Sequence, residues 1–123
     1  MKPKLIGALA LVAVLDMLGS AAQAEVLRVV VVKSQDTPGY VKEIERGRGL
    51  FKKAGSPAVI RVWRAQFAGT DAGAVVVSVE YPDLVALAKD NEKMGTDPEL
   101  RAWLAGLDKF RTIVSDSIYN ELK

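Results

Sequence analysis

The chain contains neither cysteine nor histidine in its 123 residues. Without cysteine there can be no disulfide framework, no thiolate nucleophile, no cysteine-ligated zinc and no lipid-modified cysteine anchor. Without histidine the chain lacks the commonest general base, the commonest metal ligand and the usual proximal haem ligand. Apolar runs are short as well. The longest, Leu5 to Leu15, covers eleven residues, about half of the roughly 20 that a membrane-spanning helix needs. Charge of one sign is not in excess either, with 17 basic against 15 acidic residues. That balance gives no argument for a nucleic-acid partner. Gly47-Arg48-Gly49 is not a phosphate loop, because it lies in a helical pattern and no Gly-Lys-Ser/Thr follows it.

The N-terminal residues carry the most specific local signal. Lys2 and Lys4 precede the apolar run, and Ala22-Gln23-Ala24 places small residues where a signal peptidase inspects them. This layout predicts a secretory signal peptide over residues 1–24, an exported (periplasmic or secreted) protein and no stable membrane insertion after cleavage. One domain, residues 25–123, remains. Its 99 residues carry 15 basic and 14 acidic side chains once Lys2, Lys4 and Asp16 are removed. A domain of this size is common, and without disulfides its stability must come from packing.

Residues 26–33 (VLRVVVVK) and 74–81 (AVVVSVEY) are almost continuously apolar and β-branched, as in strands covered on both faces. Residues 58–67 (AVIRVWRAQF) and 111–120 (RTIVSDSIYN) are mixed strands, as at a sheet edge. Tyr40 to Ala54 has helical spacing and ends at Gly55. A second helix opens after Pro82-Asp83, with Leu84, Val85, Leu87 and Ala88 expected to pack and Asp90 and Glu92 expected to face water. It breaks at Gly95 and restarts on Asp97-Pro98-Glu99. Gly47 and Gly49, which weaken the first helix, are expected to let it approach the sheet or a neighbour closely. The order is β-α-β-β-α-β, an α+β ferredoxin-like fold whose four-stranded antiparallel sheet runs 4-1-3-2. The two strands that read as doubly buried take the two central positions.

In such a fold the helices cover one sheet face. The other face should then alternate toward polar residues, and strands one and three do not do this. Grouping Arg28, Val30 and Val32 with Val76, Ser78 and Glu80 gives an apolar open face carrying a few charges. Leaving several valines wet would forgo several kcal/mol at roughly 25 cal/mol per Å². A homodimer packed sheet to sheet is the simplest cover, and on this grouping Val30→Asp should dissociate it.

The element order, the GSPAVIRVWRAQFAG approach to the hairpin, the AVVVSVEYPDLVALAKD segment and the broken second helix resemble the dimeric α+β barrel superfamily. That superfamily includes small antibiotic-biosynthesis-monooxygenase-like and NIPSNAP-like domains. The resemblance spans Glu25 to about Lys123 and implies a homodimer with a cavity between its sheets. Haem-degrading relatives generally use a histidine, which is missing here. Cofactor-independent oxygenases of the group use an asparagine, a tryptophan and a polar partner. Asn91, Trp63 and Trp103 are of the right types but align with no family motif.

Cavity candidates are therefore taken from the strands. Arg28, Arg61 and Arg64 can meet an anion. Gln66, Ser78 and Tyr119 can hydrogen-bond, Trp63 can line a wall, and Glu80 can pair with Arg28. Packing remains the alternative for both tryptophans. The resulting expectation is non-enzymatic binding of a small apolar or weakly anionic ligand, or a structural dimer, with no cofactor and no metal. The alternative is a cofactor-independent monooxygenase or isomerase acting on a small aromatic substrate.

Overall fold

A computed structural model describes residues 25–66 and 69–123. The expected signal peptide lies outside the described residues, as does Phe67. Four strands and three α-helices follow in order: β1 (Val26–Lys33), α1 (Thr37–Lys53), β2 (Val59–Arg64), β3 (Val75–Tyr81), α2 (Leu84–Thr96), α3 (Pro98–Leu107) and β4 (Thr112–Asn120). A 3₁₀ turn at Gly69–Asp71 precedes β3. All three strand pairings are antiparallel, in the order β2-β3-β1-β4. This is the ferredoxin-like arrangement, with the doubly apolar strands β1 and β3 at its centre. Among the described residues no helix is long and apolar enough to cross a membrane.

Aspartates set the helix starts. The Asp36 carboxylate accepts from the Gly39 N–H at 3.0 Å, Asp83 from Ala86 at 2.8 Å, and Asp97 from Glu99 and Leu100 at 2.9 and 3.2 Å. Each satisfies donors that a helix N-terminus leaves open. Gly55, at φ +80°, ends α1. The break in the second helix falls two residues later than Gly95. α2 runs through Gly95 to Thr96, and Asp97 turns to ψ 120°. Pro98 is the cause, because its ring excludes the helical conformation from the preceding residue.

The core lies between the sheet and the helices. Tyr40, Ile44, Gly47 and Phe51 of α1 are buried, a spacing of three or four residues. They meet Val30 and Val32 of β1, Ile60 of β2, Val75 and Val77 of β3, and Leu100, Trp103 and Leu107 of α3. Phe51 and Trp103 meet edge to face, with ring centroids 5.8 Å apart. Gly47 is buried against Trp103: a Cβ there would lie 2.1 Å from the indole, so this glycine permits the close approach of α1 and α3. Gly49 has no such role, with open space where its side chain would be.

The sheet register corrects the expected faces. Arg28 stands opposite Val79 and Val30 opposite Val77, so Arg28, Val30 and Val32 share the helix-covered face. Leu27, Val29 and Val31 share the open face with Glu80, Ser78 and Val76. Val30→Asp would therefore place a charge in the core. α2 also differs from expectation. Leu84, Val85 and Ala88 are exposed, whereas Asp90 is buried. Asp90 is tolerated there because the Ser56 hydroxyl donates to it at 2.5 Å, while the Ala58 N–H donates to Ser56 at 3.0 Å. Burial, and then the neighbouring Asp90 carboxylate, push the Tyr81 phenol well above its ordinary value.

Candidate ligand-binding site

A cavity of about 380 Å³ opens between the sheet and the helices. Val30, Ile60, Val77, Val79 and Tyr81 form its floor, with Ile113 at the β4 side. Ile44 and Phe51 of α1, Met94 of α2, and Trp103, Leu104, Ala105 and Leu107 of α3 form the walls. Four charged residues, Arg28, Asp108, Arg111 and Asp116, complete the lining. Asp108, Ile113 and Leu104 are exposed, which puts the mouth between the end of α3 and the start of β4. An apolar chamber with a few polar groups at one end is the usual form of a small-molecule site, and the volume sits at the small end of that class.

The elements place these groups by simple rules. Arg28 is an odd charge in an apolar strand, and the register of β1 turns it toward the helices, opposite Ile118 of β4. Asp116 stands two pairs along, opposite Val30 on the same face. A bulge, in which Val114 is the extra residue between Ser115 and Ile113, brings Ile113 back to that face. Trp103 is fixed by its Nε1–H, which donates to the Glu43 carbonyl at 2.9 Å.

The two arginines are in different states. Arg28 donates through Nε and Nη2 to both Asp116 oxygens at 2.9 and 2.7 Å, and through Nη1 to Asn91 at 3.3 Å. This bidentate bond outweighs partial burial and holds the Asp116 carboxyl below the usual carboxylate range, while raising Arg28. Arg111 is nine-tenths buried, with a side chain 9 % exposed. Its Nε has no hydrogen-bond partner among the described residues. Asp108 Oδ1 is 3.6 Å away, too far for a hydrogen bond, and Asp108 is itself 75 % exposed. Nη1 reaches the Tyr40 hydroxyl at 3.3 Å, and the guanidinium carbon lies 6.0 Å from the Tyr40 ring centroid. A buried donor left unpaired costs roughly 1–3 kcal/mol.

Of the eight residues chosen from sequence, the structure brings only Arg28 to this cavity. Its partner is Asp116; the expected Arg28–Glu80 pair does not form, because the two side chains leave opposite faces of the sheet. Glu80 instead accepts from Arg61 Nε at 2.9 Å on the open face. Trp63 is on that face too, half-exposed, with its Nε1–H donating to Ser78 at 2.7 Å. Tyr119, opposite Leu27, joins them. Arg64 and Gln66 are exposed near the β2–β3 hairpin end. The open face therefore carries Leu27, Val29, Val31, Val59, Trp63 and Val76 around the Arg61–Glu80 pair.

Sequence reasoning missed Asp108, Arg111 and Asp116. The polar residues of β4 marked Asp116 only as part of an edge strand, and nothing local to Arg111 reveals that it is buried. Trp103, read as a core residue, is both core and cavity wall. Among the described residues no cluster of three or more acidic side chains is placed to hold a metal ion.

The same architecture occurs in solved proteins. SnoaB, a cofactor-independent oxygenase from Streptomyces nogalater, superposes as an asparagine-to-alanine variant with a TM-score of 0.61, at 16 % identity over 81 % of this chain and 95 % of that one. The chain has the fold of these proteins. An uncharacterised NIPSNAP domain protein from Burkholderia xenovorans gives 0.56 at 20 % identity, covering 80 % of this chain and 91 % of that one. A protein from Agrobacterium tumefaciens gives 0.58 at 14 % identity, covering 80 % and 92 %. No protein-family model and no curated protein matches the sequence. At these identities the likeness establishes the ferredoxin-like fold alone and leaves activity to be argued from the site.

Proposed function

We propose that the protein is an exported homodimeric domain that binds a small apolar molecule without altering it, in the cavity between the sheet and helices of each subunit. The observation that carries this reading is the cavity itself. Its lining is mostly apolar, with four charged residues at one end, so a ligand seated there gains dispersion contacts along the walls and polar contacts at that end. Export rests on the N-terminal pattern. The homodimer rests on the open face, where half-exposed Trp63 and Val59 flank the valines of the central strands and a second copy would cover both.

Catalysis on an aromatic substrate is the second reading, favoured by the shared fold with SnoaB. Proton transfer in the cavity would fall to Asp108 or Asp116. Asp116 is a poor base, because its pairing with Arg28 lowers its affinity for a proton. Trp63, the tryptophan considered for that chemistry, faces the other side of the sheet.

Fluorescence separates the outcomes. Trp63 and Trp103 are the only tryptophans, so Trp63→Phe leaves one reporter, in the cavity wall. Naphthalene-sized probes should quench it saturably, and Ala105→Phe, which narrows the cavity, should weaken that quenching. Unchanged emission with every such probe would refute the binding reading. Oxygen uptake with an enolisable aromatic ketone would instead favour the enzyme.

A further inference from the structure

We propose that Arg111 is the anchor for an acidic head group, so that the ligand is a small apolar or aromatic molecule bearing one carboxylate or an equivalent oxyanion. This rests on the cavity being a binding site. The lining carries two cations and two carboxylates, but they are not equally available. Arg28 is spent, since Asp116 takes two of its donors and Asn91 a third. Arg111 is not: its nearest carboxylate is 3.6 Å away and exposed, and its Nε has no hydrogen-bond partner among the described residues.

Water cannot easily offset this, because the side chain is 9 % exposed. The Arg111 guanidinium, which lines the polar end of an apolar chamber, matches a planar carboxylate in shape and charge. The ligand's rings would lie toward Trp103 and Phe51, and its charge toward β4. A neutral ligand of equal shape would leave the guanidinium with only Tyr40 and the distant Asp108 carboxylate as partners.

The test compares 2-naphthoate with 2-naphthamide, equal in size and different in charge, by quenching of Trp103 in the Trp63→Phe protein. The acid should bind about tenfold or more tightly than the amide, the range of one charge-assisted hydrogen bond. Arg111→Met should bring the ratio near one, and Arg111→Lys should keep part of it. A structural role for Arg111 would weaken both probes alike and leave the ratio unmoved. Equal binding of acid and amide before any substitution of Arg111, or an acid preference that survives Arg111→Met, overturns the anchor while leaving the cavity a binding site. Quenching by neither probe removes the cavity reading and this inference together. Should Arg111→Met fail to fold, the ratio in the Trp63→Phe protein and in Arg111→Lys still decides.

Discussion

Two glycines on one helix should respond to alanine with opposite signs. Both lie inside α1, neither has positive φ, and in each case alanine gains about 1 kcal/mol of helix propensity. At Gly49 nothing opposes that gain, because no atom beyond the adjoining residues and the helix's own backbone lies within 4 Å of an added Cβ. At Gly47 the Cβ would sit 2.1, 2.5 and 2.8 Å from three atoms of the Trp103 indole. Moving that ring away breaks its N–H bond to Glu43 and its edge-to-face contact with Phe51. Overpacking a core costs about 1–3 kcal/mol, and disturbing the indole hydrogen bond adds about 1 kcal/mol. The net loss for Gly47→Ala is then about 2 kcal/mol, or a fall in Tm of about 10 °C for a domain of this size. Gly49→Ala should be as stable as the parent or up to about 1 kcal/mol more so. Urea and thermal unfolding at one fixed protein concentration measure both, the concentration being held because a dimer makes Tm depend on it. Equal stabilities for the two variants would refute the claimed contact between α1 and α3.

Three further results should follow. Val29→Asp, on the open face, should give a folded monomer by sedimentation while leaving quenching of Trp103 by 2-naphthoate intact; an unchanged dimer would sink the sheet-to-sheet arrangement. Tyr81 is raised in the fold, so its contribution is present below the ordinary tyrosine value near pH 10 and is lost as pH rises through its higher folded value. The stability difference between parent and Tyr81→Phe should therefore change only above about pH 10, and a flat difference through pH 11 and 12 would contradict the burial of that phenol. Asp116 is lowered, so its pairing with Arg28 is fully present above about pH 4 and is lost as pH falls through the folded value. Because both side chains are partly exposed, Asp116→Asn should cost no more than about 1 kcal/mol at neutral pH, a difference that vanishes in acid; a constant difference across that range would show that the ion pair is not its source.

The strand order was legible because it depends on which strands are apolar on both sides, and β1 and β3 announce this with runs of valine. The faces were not legible for the same reason. When both faces are valine, a shift of one residue moves every side chain to the other side without any visible penalty in the pattern. Arg28 and Glu80 were misplaced relative to each other in this way, and the hydrogen-bonded register was needed to separate them. In α2, Leu84 and Val85 fit an apolar stripe yet lie outside the core, whereas Asp90 breaks the stripe and is buried, because Ser56 meets it from a loop 34 positions earlier in the chain. Helix starts were readable, since an aspartate before proline or a first turn is a local signal. Arg111 was not, because the Tyr40 side chain it packs against lies 71 positions away in the chain.

The separation of the two faces would let one small sheet serve both proposed roles, ligand binding and dimerisation. Alternate residues of β1 send Arg28 and Val30 into the cavity and Leu27, Val29 and Val31 to the open side. A partner sheet laid over the open side would not reach the mouth, which lies beyond the helices beside Asp108 and Ile113. Such a partner would instead stiffen the floor of the cavity from behind. Strands backed on both sides resist the collapse that would otherwise close an apolar space of this size. In the proposed dimer the valines that obscured the register in the sequence would act in aggregate, because a sheet covered on both faces would keep the chamber open where a one-sided sheet of the same length would let it close.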